Sequence, residues 1–185
     1  MVEGDAENLL IPVVAEIVGY PLEKYGVSIV NVGSTAFLRY SRIFIRGDQE
    51  HTIDIPVSVI TDCDVQPWNE SKDEDGHKIK EFCDKSVESE VAVTRKKAKY
   101  SKGSIQGFVS PRWTLEYCIA LSFLKDDFHR AINYGKKIKN SDKYTLTADK
   151  ITAADQETTE QQSRWNDCSE AERAFNVYDL MLDGS

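Results

Sequence analysis

"IPVSVITDCDV", residues 55–65, is an apolar run that stops in two aspartates one residue apart. An apolar, β-branched run with no polar alternation reads as a strand covered on both faces, as in a parallel sheet flanked by helices. Asp62 and Asp64 follow it directly. If strand geometry continues through them, both carboxylates leave the same face. Two like charges on one face need something positive between them, and a divalent cation held by oxygen ligands would serve. A plain acidic turn after a strand would give the same residues without a metal.

The flanking sequence supports the sheet. Upstream, "ENLLIPVVAEIVGY" (7–20) sets Leu9, Leu10, Val13, Val14 and Ile17 at helical spacing, with Gly19 as the stop. Pro12 belongs in the first turn of that helix or at a kink. "VSIVNVG" (27–33) reads as a short strand, and "TAFLRYSRIFI" (35–45) as a helix with Phe37, Tyr40 and Phe44 on one stripe. The polar "DQEHT" (48–52) then leads into the opening strand. Strands alternating with helices predict a small parallel α/β sheet, whose ligands bind beyond the carboxyl ends of its strands. Glu3 and the Asp62/Asp64 pair fall at such ends.

Downstream, "NESKDEDGHK" (69–78) reads as a polar loop. "VAVTRKKAKYSKGSIQGF" (91–108) carries Arg95, Lys96, Lys97, Lys99 and Lys102 without an acid among them. "SPRWTLEYCIALSFL" (110–124) reads as a helix capped by Ser110, with Pro111 in its first turn. A second basic cluster, "GKKIKNSDK" (135–143), follows. Residues 145–164 are Thr/Gln-rich and give no structural signal. "SEAERAFNVYDLML" (169–182) is a helix with a capping box at Ser169 and Glu172.

Of the 185 residues, 41% are hydrophobic and 29% charged, which suits a folded core and excludes a disordered chain. No apolar stretch reaches membrane-spanning length. Residues 1–8 are acidic where a secretory signal would be basic and apolar. Cys63, Cys83, Cys118 and Cys168 form no CxxC pair, so they read as free thiols of a reducing, cytoplasmic compartment. His51, His77 and His129 lie in polar stretches away from any nucleophile motif. The net charge of −8 argues against nucleic acid as an average, but acids gathered at a metal site would leave the basic run free for phosphate.

Four segments together, "VEGDAE" (2–7), "VSIVNVGSTAFLRY" (27–40), "IPVSVITDCDV" (55–65) and "WTLEYCIAL" (113–121), resemble the Toprim domain of the OLD-family ATP-dependent nucleases. The resemblance covers residues 2–125 well and the tail weakly. It implies a Toprim core over 1–125, interrupted by a loop and basic insertion at about 66–107, and a helical extension over 126–185. It implies a metal-dependent DNA endonuclease that cleaves phosphodiesters with two Mg²⁺ or Mn²⁺ ions. Glu3, Asp62 and Asp64 match the signature acids and would be catalytic and hold one ion. Glu7 and Glu116 match the acids that OLD-like members add, and would hold the second. Arg95, Lys96, Lys97, Lys99 and Lys102 would meet DNA phosphates.

Full-length members of this family carry an upstream ATPase domain. No GxxxxGK[ST] loop occurs here, so no ATP site is expected in this chain. A homodimer through the full-length protein is the expected assembly. No residue matches the family's late lysine, and the strand leading into Glu3 looks cut short. The chain therefore reads as an excised or truncated domain that cuts DNA slowly or not at all on its own. The competing reading is a catalytically silent Toprim-like module that binds nucleic acid or a partner protein. A phosphoacceptor receiver domain leaves Glu3, Glu7 and Glu116 without a job, and a topoisomerase would need a tyrosine-bearing domain for which there is no room.

Overall fold

In the computed structural model, which describes residues 1–45, 55–139 and 144–182, the chain divides into two compact units. The first comprises Met1–Val65 with Ser86–Leu115, and the second Gln66–Lys85 with Glu116–Ser185. His51 and residues 140–143 of the second basic cluster lie outside the described residues.

The first unit is a mixed α/β fold built on parallel backbone pairing. Strands β1 (Val57–Thr61) and β4 (Ile105–Val109) pair in parallel, Val57 opposite Ile105 and Thr61 opposite Val109. The chain start extends this arrangement on the other side of β1. The Met1 ammonium donates to Ser58 O at 2.6 Å, and Ile60 N–H donates to Met1 O at 2.9 Å. Val2 in turn bridges Asn31 in parallel, donating to Val30 O and accepting from Val32 N–H. The segment read as a strand over 27–33 is thus reduced to one bridge. The parallel order, running through 30–32, 1–2, β1 and β4, is the one expected of the fold class.

Helices flank this sheet. α1 (Asp5–Ile17) ends before Gly19, whose φ of +86° takes the chain out of the helix. Pro12 lies inside α1, beyond the first turn where it was expected. The apolar stripe expected to pack inward stays open instead: Leu9 is 69% exposed and Ile17 78%, while the buried α1 side chain is Glu7. α2 (Phe37–Ser41) is a single turn that buries Phe37 completely. α3 (Ser86–Tyr100) crosses β4 so closely that a Cβ on Gly107 would meet Tyr100 Cβ at 3.1 Å and Lys97 O at 3.3 Å. Phe37, Val59, Tyr100 and Ile105 form one core cluster, with Phe37 edge-on to Tyr100 at 5.4 Å between ring centroids. Cys63, Ala92 and Val109 form a second.

The second unit opens with an antiparallel hairpin, β2 (Trp68–Lys72) with β3 (Lys78–Phe82). This corrects the loop reading of 69–78. The polar residues occupy a tight turn, with Gly76 at φ +85° and Asp73 N–H bonded to His77 O. The remainder is helical: α4 (Leu115–Ala120), α5 (Lys125–Lys139), α6 (Ala148–Arg164) and α7 (Glu170–Leu182). Ser169 Oγ accepts from Glu172 N–H at 3.2 Å, as the capping box predicts, and α7 buries Ala174, Phe175, Val177 and Tyr178. All four cysteines are free thiols.

Candidate metal centre

β1 ends at Thr61, so Asp62 and Asp64 lie just past the strand and do not share a strand face. Asp64 has a left-handed φ of +64°, a conformation Asp tolerates better than most residues. Its N–H is held by Trp113 O at 2.9 Å. Cys63, between the two, points into the core: it is 1% exposed, and its Sγ lies 3.6 Å from Ser89 O.

Three adjacent parallel segments end together here. Val2 delivers Glu3, whose Oε2 accepts from Thr61 Oγ1 at 2.8 Å. β1 delivers Asp62. β4 delivers Ser110, whose Oγ donates to Asp62 Oδ1 at 3.2 Å and accepts from Cys63 N–H at 3.1 Å. Ser110 therefore ties two strand ends together and does not cap the helix predicted to start there. The same Asp62 oxygen accepts from Leu115 N–H at 2.9 Å. Glu7 is 6% exposed, and its Oε2 accepts from Gly4 N–H at 3.0 Å, closing the N-terminus of α1. Asp5 is held by Asn31 Nδ2 at 2.7 Å. Glu116 belongs to the second unit, where it sits in the first turn of α4.

The basic run divides. Arg95, Lys97 and Lys99 lie exposed along α3, and Lys102 is exposed just beyond it. Lys96 turns inward. Its Nζ donates to Asp64 Oδ2 and, at 2.7 Å, to the backbone O of Asp62. This contact joins α3 to both members of the acidic pair, and it was not legible beforehand, because Lys96 is one of five bases in a uniform run.

Residues 1–64 match the family model described as the Overcoming lysogenization defect protein-like (OLD-like), TOPRIM domain. This stretch is similar to an OLD-like TOPRIM domain. No curated protein and no solved structure matches the chain. The TOPRIM segment contains Glu3, Glu7, Asp62 and Asp64; Glu116 and the basic run lie beyond it.

As a donor set the TOPRIM acids suit a hard divalent ion, since all of them are carboxylates and Glu3 and Asp62 leave neighbouring strand ends. One oxygen of each is engaged, by Thr61, by Ser110 and Leu115 N–H, by Gly4 N–H or by Lys96. Among the described residues, the three acidic or His ligand atoms that gather within 4.8 Å of one another belong to Asp73, Asp75 and His77 at the hairpin turn. That group is exposed and bonded within itself, His77 N–H to Asp73 Oδ1 at 2.7 Å.

Proposed function

We propose that this chain is the divalent-metal-dependent DNA endonuclease domain of an OLD-like protein, acting in the cytoplasm with an ATPase domain as its partner. One observation carries the reading: the TOPRIM segment delivers Glu3 and Asp62 from adjacent parallel strand ends, with Asp64 two residues on. Glu3, Asp62 and Asp64 would hold one Mg²⁺ or Mn²⁺, and Glu7 would serve the second. Such ions supply a nucleophilic hydroxide and neutralise charge on the phosphate during hydrolysis. The protein's own part is positional. Thr61 orients the Glu3 carboxylate, and Ser110 with Leu115 N–H orients that of Asp62. Arg95, Lys97, Lys99 and Lys102 offer an exposed basic edge that would track a phosphate backbone without reading sequence.

The test is nicking of supercoiled plasmid in Mn²⁺ by the full chain, alongside Glu3→Gln and Asp64→Asn. Metal-dependent nicking lost in both variants is the expected result. Nicking that survives both would remove these residues from the reaction. The alternative, a silent binding module, is favoured by the Lys96 contact, which already neutralises Asp64. Salt-sensitive DNA binding with neither metal uptake nor nicking would establish it.

A further inference from the structure

We infer that Lys96 is a built-in counter-cation of the acidic pair, standing where a divalent ion would bind and giving way when one does. The inference rests on the metal site proposed above and adds a competitor to it. Lys96 Nζ touches two oxygen donors of the pair, the Asp64 carboxylate and the Asp62 carbonyl. Oxygen donors converging on one positive point are what a hard cation also requires. The lysine is well placed to hold this position: its side chain is 16% exposed against 54% for Asp64. It projects from α3, which is fixed against β4 by the close approach at Gly107. The left-handed turn at Asp64 and the Trp113 bond fix the backbone from which the carboxylate projects.

A competition follows. An ion that takes Asp64 Oδ2 and the Asp62 carbonyl needs the position the ammonium holds, so its entry there breaks the Lys96 bonds. The released ammonium would rejoin the helix that carries Arg95, Lys97 and Lys99. Metal entry would then add one base to the phosphate-facing edge, and by reciprocity a polyanion holding Lys96 away would favour metal entry.

Calorimetric titration of the full chain with MnCl₂ tests this. Lys96→Gln should bind Mn²⁺ about tenfold more tightly than the parent, because a charge-assisted contact no longer has to be broken. Lys97→Gln removes the same charge from an exposed position on the same helix and should stay within about twofold. In a second measurement, made on the unmutated chain, lysine side-chain ¹⁵N resonances are followed during MgCl₂ addition. The Lys96 signal, assigned with Lys96→Arg, should move on saturation while that of Lys97 does not. Equal or weaker Mn²⁺ binding by Lys96→Gln, or a Lys96 signal unmoved at saturation, overturns the inference and leaves the metal site standing. Absence of Mn²⁺ uptake by both the parent and Lys96→Gln removes the metal site and the inference together.

Discussion

Replacing Asp62 separates its two roles, because asparagine keeps an acceptor oxygen and alanine keeps none. In the folded chain one Asp62 oxygen accepts from Leu115 N–H at 2.9 Å and from Ser110 Oγ at 3.2 Å. Ser110 in turn receives Cys63 N–H, so the carboxylate anchors a chain of bonds across two strand ends. Hydrogen bonds to a charged group contribute about 1.5–3 kcal/mol each. Asp62 is only half-buried, and water entering the gap recovers part of that. Asp62→Ala should therefore destabilise the chain by about 2–3 kcal/mol. For a protein of this size that lowers Tm by about 5–10 °C. Asp62→Asn should retain most of the stability, since a carbonyl oxygen can take the same two donors. Thermal melts followed by circular dichroism in EDTA report this without any metal contribution. In Mn²⁺ titrations, by contrast, Asp62→Asn should lose most of the affinity, because a neutral amide is a poor ligand for a hard cation. Equal melting of the two variants in EDTA would show that the two bonds do not anchor the strand ends.

Changing Arg95, Lys97 and Lys99 together to Ala should flatten the slope of log K against log salt for duplex DNA by about 2–3, read by fluorescence anisotropy. Phe37→Ala empties a fully buried site against Tyr100 and should cost about 3–5 kcal/mol in urea unfolding. Gly107→Ala forces a Cβ against Tyr100 and the Lys97 carbonyl and should cost about 1–3 kcal/mol in the same assay. Burial pushes the His129 imidazole below its ordinary range, despite the opposing pull of its Gln161 bond and of Asp126 and Glu157. The unfolded chain therefore binds the proton more readily, so stability holds above about pH 6.5 and falls as pH drops from there through the folded pKa. The urea midpoint should drop between pH 7.5 and 5.5, and by less in His129→Gln.

Part of the parallel core was legible from β-branched runs, although β1 buries Val59 and Thr61 and leaves Ser58 exposed. β1 shows as an apolar run, and the pairing of Val2 with Asn31 was foreshadowed by short β-rich segments at both places. β4 was not, since "IQGFV" sits in the shadow of the basic run and alternates buried with exposed. α6 was missed for a different reason. Its inward face consists of Ala154, Thr158 and Gln161, which no hydrophobic period detects. Burying such residues requires each polar group to find a partner. α5 supplies them: Asn133 Nδ2 donates to Thr158 Oγ1 and to Gln161 Oε1, each at 2.8 Å, and His129 Nε2 lies 2.7 Å from the same Gln161 oxygen. His129, which was read as lying in a polar stretch, is 2% exposed. The specificity of this helix pair lies in matched hydrogen bonds between residues distant in sequence, and single-residue polarity conceals it.

The acidic pair shows the same limit at the site. Its presence after a buried strand was plain in the sequence, and so was the need for a positive partner. What supplies that partner depends on a turn and a helix rotation that composition does not encode. β1 stops one residue before Asp62, and the left-handed step at Asp64 takes its carboxylate to α3. On α3, Lys96 faces inward while its neighbours Arg95 and Lys97 face solvent. Helical geometry makes this division unavoidable, because consecutive residues point about 100° apart and the bases at 95, 96, 97 and 99 cannot all share one face. A uniform basic stretch on a helix must therefore serve more than one surface. Here Lys96 pairs with Asp64 and reaches the Asp62 carbonyl, while Arg95, Lys97 and Lys99 stay exposed on the same helix. The charge that looked like a single patch is divided between the turn after β1 and the solvent face of α3.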